Sequence, residues 1–160
     1  ILVGISLCVL FLTACSEMKV RQLGRDNQEQ LKKIAVVDIN TRTGQLFGRE
    51  LRKFLHIGGK LDEAYKLTSK TSTSSSGNLS VQGMASSLNK MTMTASFQLN
   101  DIKTGRTLFA DKVSGDATLG AVTSLYGQEK SEAHARERLA ILLAQRVVRR
   151  LQLYFLNQND

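Results

Sequence analysis

Residues 91–99 (MTMTASFQL) alternate without a break: Met91, Met93, Ala95, Phe97 and Leu99 fall on one parity, and Thr92, Thr94, Ser96 and Gln98 on the other. Successive side chains of a strand point to opposite faces, so this stretch is a strand with one dry and one wet face. A slip of one residue would turn its whole apolar set to water, which sets the register firmly. Residues 100–105 (NDIKTG) follow as a turn, since Asp can bond nearby backbone amides and Gly accepts positive φ. Residues 107–113 (TLFADKV) supply the return strand of a hairpin. Met91 and Met93, at period two beside Phe97, belong to the core rather than to a soft binding surface. Any fold of this chain must cover that dry face.

The remaining segments suggest how. Residues 33–39 (KIAVVDI) form a β-branched run, the first strand. Residues 40–43 (NTRT) suit a helix cap, and in residues 45–55 (QLFGRELRKFL) Phe47, Leu51, Phe54 and Leu55 recur at helical spacing. Gly58-Gly59 is a natural stop, and Arg49, Arg52 and Lys53 lie on the solvated side. Residues 64–71 (AYKLTSKT) alternate, with Tyr65 and Leu67 opposite Lys66, Thr68 and Lys70. Residues 72–78 (STSSSGN) are expected to be a Ser-rich turn, and residues 79–85 to continue the strand with a bulge at Gly83. Residues 115–128 are expected to be a glycine-bearing connection. Ser131 is then the N-cap of a last helix over residues 132–155, with Glu132 in its first turn. Its stripe is Leu139, Leu142, Leu143, Val147, Leu151, Tyr154 and Phe155. The order β-α-β-β-β-α predicts an α+β two-layer sandwich, a mainly antiparallel four-stranded sheet with both helices on one face. The other face, rich in Thr, Ser and Lys, is left to solvent or to a partner.

The N-terminal end is of another kind. Residues 1–11 (ILVGISLCVLF) carry no charge and lead into Leu12-Thr13-Ala14-Cys15, the apolar region and cleavage site of a signal peptide whose charged n-region would precede Ile1. As a helix, residues 1–14 would reach about 21 Å, short of the roughly 30 Å hydrocarbon core. Leu12-Thr13-Ala14-Cys15 resembles the lipobox of bacterial lipoproteins, which implies that Cys15 is acylated and becomes the first residue of the mature chain. Each buried methylene contributes about 0.8 kcal/mol, so two or more acyl chains hold firmly. Ser16 in place of Asp favours the outer membrane over retention at the inner one. The expected organisation is a signal peptide at 1–14, a lipidated N-terminus and polar tether at 15–32, one domain at 33–156 and a frayed tail at 157–160. Cys8 lies in the signal and Cys15 is consumed by lipid, so the domain is expected to be held by packing, without a disulfide.

All 22 Lys and Arg and all 14 Asp and Glu follow residue 14, for a formal charge of +8. In an exported chain such an excess points to envelope polyanions such as lipid phosphates before nucleic acid. Enzyme chemistry has no foothold. His56 and His134 stand in no metal-binding spacing, no free cysteine remains as nucleophile, and neither G-x-S-x-G nor a glycine-rich phosphate loop occurs. No aromatic-interleaved basic motif for nucleic acid is present either. We therefore expect a protein that is not an enzyme, with no cofactor, no metal and no nucleic-acid partner.

Taken together, the lipobox, the Ile39-x-x-Arg42-x-Gly44-Gln45 segment, the Phe97-x-Leu99-x-Asp101-x-x-Thr104-Gly105 hairpin and the helix ending Arg150-Leu151-x-x-Tyr154-Phe155 resemble the LptE lipopolysaccharide-assembly lipoproteins in their alphaproteobacterial form. The resemblance implies a non-enzymatic plug in the lumen of the outer-membrane β-barrel LptD, on the periplasmic side, helping to deliver lipopolysaccharide to the outer leaflet. It also implies a lipid-facing basic residue just before residues 91–99, carried here by Lys90. Lys103 and Arg106, at the hairpin tip, are further candidates from charge and exposure. The rival readings are an auxiliary lipoprotein of an ABC-type envelope lipid transporter and a periplasmic lipid carrier with a deep apolar cavity. Cys15→Ala is expected to leave the domain folded but release it from membranes; fractionation after a salt wash checks this, and retention of the variant in the membrane pellet would count against a lipid anchor.

Overall fold

The computed structural model describes residues 28–55, 62–80, 87–120 and 124–158. Its elements are α1 (Gln28–Lys32), β1 (Ile34–Val36), α2 (Arg42–Leu55), β2 (Tyr65–Ser80), β3 (Ser87–Asp101), β4 (Thr107–Leu119) and α3 (Leu125–Gln158). The strands form one sheet in the order β1-β2-β3-β4. β2, β3 and β4 run antiparallel, while β1 lies parallel to β2. A parallel neighbour needs a crossover, and α2 supplies it. The expected α+β order and two layers hold, with a mixed sheet in place of a purely antiparallel one.

The dry face of β3 is the floor of the core. Met91, Met93, Ala95 and Leu99 are fully buried and Phe97 is 2% exposed. Phe47, Leu51 and Leu55 of α2 and Leu139, Leu143, Val147 and Leu151 of α3 close over them. α3 runs back along β4: Tyr154 stacks on Phe109 with ring centroids 5.0 Å apart, and Arg150 Nε lies 3.4 Å from Asp111 Oδ2. Further back the Arg146 guanidinium donates to the Ser114 carbonyl. Beside it Gly115 lets the helix approach, since a Cβ there would stand 3.2 Å from Leu142 Cδ2. With 34 residues α3 is about 51 Å long. Its first buried residue is Ala135, and its N-terminal turns overhang, with Leu125 82% and Tyr126 70% exposed.

Local chemistry explains the family-like motifs. Thr41 Oγ1 accepts from Gly44 N at 3.1 Å and caps α2. Gly44 is buried where a Cβ would stand 2.6 Å from Ile39 Cβ and 2.8 Å from Thr41 Oγ1, so only glycine lets the chain leave β1 across the first turn of α2. In the hairpin, Asp101 Oδ1 accepts from Thr104 N at 2.7 Å and from Thr104 Oγ1 at 3.0 Å, and Gly105 takes φ of 69°. Those Thr104 hydrogen bonds, the backbone one first, hold the Asp101 carboxyl below its usual pKa.

Several expectations change. Residues 72–78 are strand, not turn: Ser72 to Ser76 pair in order with Thr94 to Lys90, and the ladder shifts between Ser76 and Leu79. Main-chain hydrogen bonds to β3 order this stretch without any apolar side chain. Residues 115–119 belong to β4, and α3 begins at Leu125 with Ser124 as its cap, its Oγ accepting from Gly127 N at 3.1 Å. Ser131 therefore lies inside the helix. The first strand shortens to Ile34–Val36. Within the stretch expected to be a polar tether, Gln28–Lys32 form α1 and bury Leu31 in the core. Cys8, Cys15, His56, Gly58, Gly59 and Gly83 lie outside the described residues.

Gly44→Ala is expected to destabilise the domain by about 1–3 kcal/mol through overpacking against Ile39 and Thr41. A denaturant midpoint equal to that of the parent would refute the close-approach role.

Candidate functional site

Among the described residues the sheet's second face carries no helix, and it is built from the opposite parity of β2, β3 and β4. Ladder register aligns its side chains in rows across the strands: Thr68–Gln98–Ala110, Lys70–Ser96–Lys112, Ser72–Thr94–Ser114, Ser74–Thr92–Asp116 and Ser76–Lys90–Thr118. All of these residues but Ala110 are polar or charged, the core-facing parity holding the large apolar side chains.

Lys70 and Lys112 sit two strands apart, about 10 Å at the usual strand spacing, with the Ser96 hydroxyl between them. Both are exposed, and neither forms an ion pair among the described residues. Around them lies a shallow depression of about 660 Å³, lined also by Thr68, Gln98 and Ala110. Two ammonium groups flanking a hydroxyl offer charge-assisted hydrogen bonds to an oxyanion that bridges them. The depression is too open to enclose an acyl tail.

Lys90 lies on the same face, two rows further on than Ser72–Thr94–Ser114, and is committed to a neighbour. Its Nζ is 3.1 Å from Asp116 Oδ2, and Thr92 Oγ1 donates to Asp116 Oδ1 at 2.7 Å. The Thr92 bond first, then the Lys90 bond, hold the Asp116 carboxyl below its ordinary pKa. Lys103 and Arg106 are exposed at the hairpin tip, at the other end of the sheet. Asp101 lies eleven residue steps along the strand from Lys90, about 37 Å, so the sequence candidates do not converge on one site. Lys70 and Lys112, neither of them among the sequence candidates, form the row between these two ends. Lys70 was visible on the wet parity of its strand, but its juxtaposition with Lys112 depends on a register that spans three strands.

A second concavity, about 1030 Å³, opens between α2 and the overhang of α3, lined by Arg42, Leu46, Arg49, Tyr126, Lys130 and His134 among others. Two of its four Arg and Lys side chains are matched by carboxylates. Arg136 Nη2 is 2.6 Å from Glu132 Oε2, and Arg49 Nε is 3.1 Å from Glu50 Oε1. Glu50 is the buried acid of α2, its side chain 8% exposed, and also takes Lys53 Nζ at 2.8 Å. The Lys53 hydrogen bond, against the opposing effect of burial and with help from Arg49, lowers the Glu50 carboxyl from its usual 4.5. Among the described residues no group of three or more His, Cys, Asp or Glu is placed to hold a metal ion.

The family model described as LptE, lipopolysaccharide-assembly, matches residues 31–151. A putative lipoprotein from Caulobacter crescentus CB15 is similar in structure with a TM-score of 0.63 at 22% identity, over 79% of this chain and 93% of that one. A minor lipoprotein from Acinetobacter baumannii follows with a TM-score of 0.56 at 14% identity, over 75% and 88%. Rare lipoprotein B from Shewanella oneidensis gives 0.51 at 16% identity, over 79% and 97%. These structures share the fold. No curated protein sequence matches the chain.

Because the folded-state pKa of Glu50 is lowered, its contribution to stability is complete above the unfolded value and is lost as pH falls through the folded one. Glu50→Gln is expected to lower the thermal midpoint at neutral pH and to lose less of it below about pH 4.5. Parallel midpoint profiles for parent and variant would refute that role.

Proposed function

Because the chain belongs to the LptE lipopolysaccharide-assembly family, with 121 of its 160 residues inside the family match, we propose that it is a non-enzymatic outer-membrane lipoprotein, anchored through Cys15, that plugs an LptD-type β-barrel and guides lipopolysaccharide through it. The observation that carries this reading is the uncovered wet face with its Lys70–Ser96–Lys112 row. A domain seated in the water-filled interior of a large barrel must present hydroxyls and charges, not an apolar patch, to the polar lumen wall. The same row suits the phosphates of lipid A, where an ammonium bonded to a phosphate oxygen is worth about 1.5–3 kcal/mol. Lys90 extends this basic face toward one end, and Lys103 and Arg106 contact the ligand or the barrel wall at the other.

Two features support this over the rival readings. The space between sheet and helices is filled by side chains such as Phe47, Leu51, Met91, Met93 and Leu143, all fully buried, which favours contact at a surface over enclosure of a lipid tail. The family match favours a barrel partner over an ABC-type transporter.

A tagged full-length chain isolated in mild detergent is expected to bring down a large outer-membrane barrel, and isolation alone or with an inner-membrane complex would overturn the plug role. The Lys70→Ser/Lys112→Ser double variant is expected to bind lipopolysaccharide at least about tenfold more weakly, while Arg138→Ser, on the helical side, binds as the parent does. Titration with purified lipopolysaccharide checks this, and equal losses for both variants would mean that net charge alone accounts for binding.

A further inference from the structure

The edge of β2 carries an inference that goes beyond the basic face and does not depend on it. β1 pairs with β2 only from Tyr65 to Leu67, with one further bond from Val37 N to the Leu67 carbonyl. From Thr68 to Ser80, β3 lines one side of β2, and among the described residues no strand lines the other. In an antiparallel ladder alternate residues direct both N–H and C=O away from the partner, so this edge presents main-chain donors and acceptors about every 7 Å. Ser72 to Ser76 are exposed on both faces as well.

Elsewhere on the sheet's outer edges a guanidinium takes a main-chain carbonyl. Arg52 Nη2 donates to the Val36 carbonyl of β1 at 3.3 Å, and Arg146 does the same for Ser114 of β4. A long, unguarded edge is a template for an added strand. A second observation lies beside it: Ser69 Oγ and Thr71 Oγ1, on the helix side of β2, are buried without any hydrogen-bond partner. Such atoms cost stability unless something supplies the missing bond.

The side chains of the edge say which strand fits. β2 carries Lys66 and Lys70 and no Asp or Glu in its 16 residues. We propose that the β2 edge from Thr68 to Ser76 takes up an extended segment of another protein by strand addition, with Asp or Glu of that segment beside Lys70 on the open face and hydroxyl or amide side chains toward Ser69 and Thr71. A second copy of this chain fits less well, because it brings the same lysines and no carboxylate to the seam. Main-chain bonds supply the affinity and the alternating side chains the choice of partner.

The test uses the full chain and four acetylated heptapeptides: one alternating threonine with glutamate, one alternating threonine with lysine, and two forms of the glutamate peptide N-methylated at alternate residues, one on each parity. The glutamate peptide is expected to slow amide exchange at residues 68–76 by about tenfold or more, the usual signature of new main-chain bonds. The lysine peptide is expected to bind at least about tenfold more weakly, and Lys70→Glu to reverse that preference. N-methylation on the pairing parity is expected to abolish the protection. Binding that leaves residues 68–76 unprotected, or equal binding of both N-methylated forms, would overturn strand addition. Equal binding of the glutamate and lysine peptides would overturn the acidic partner. Protection that grows with protein concentration in the absence of peptide would assign the edge to a second copy and overturn the proposal.

Discussion

The contact between α3 and the β3–β4 hairpin is the constraint on which the rest of the domain depends. Burying side chains the size of Met91, Met93, Phe97 and Leu99 contributes about 1.5–3 kcal/mol each, and none of it is gained until a helix lies over them. The Arg150–Asp111 pair, with its side chains 57% and 31% exposed, contributes well under that, about 0–1 kcal/mol. Burial therefore supplies the strength, and the ion pair, the Tyr154–Phe109 stack and the missing side chain of Gly115 set where along β4 the helix sits. Once α3 is fixed over β3 and β4, α2 completes the layer beside it. The wet face must then lie opposite, and Ser72 to Ser76 of β2 are left exposed.

How much of this was legible in the sequence followed the location of apolar side chains. Residues 91–99 and 107–113 show their strand parity because one face is dry, and the C-terminal two thirds of α3 shows its stripe for the same reason. Residues 72–76 were misread because a strand exposed on both faces leaves no period-two pattern, and serine clusters are more often turns. Residues 115–119 were misread because Gly115 serves the core through a lack of side chain. The overhang of α3 is polar and unburied, so nothing in its sequence separates helix from connection, and Ser131 and Ser124 are equally good caps by residue type.

The candidate surface was legible in kind but not in arrangement. The alternation of residues 64–71 and 91–99 already placed Thr, Ser and Lys on one wet face. The row that brings Lys70 and Lys112 to either side of Ser96 depends on two ladders in register, a long-range fact that spacing along one strand does not contain. The motif residues, by contrast, proved to be scaffold. Gly44, Asp101, Thr104, Gly105 and Tyr154 each hold a turn, a cap or a helix seat, which is why a family resemblance built on them reports the fold so directly.

The seat of α3 also orders events in time. Phe155, which helps close the core, follows Phe97 of β3 by 58 residues. At a synthesis rate of roughly 5–20 residues per second, about 3 to 12 seconds separate the two. Throughout that interval the dry face of β3 has been made, and α3, which lies over it beside α2, is incomplete. A growing chain in this state cannot complete its tertiary structure early, and it presents one well-defined apolar strand to any holding chaperone.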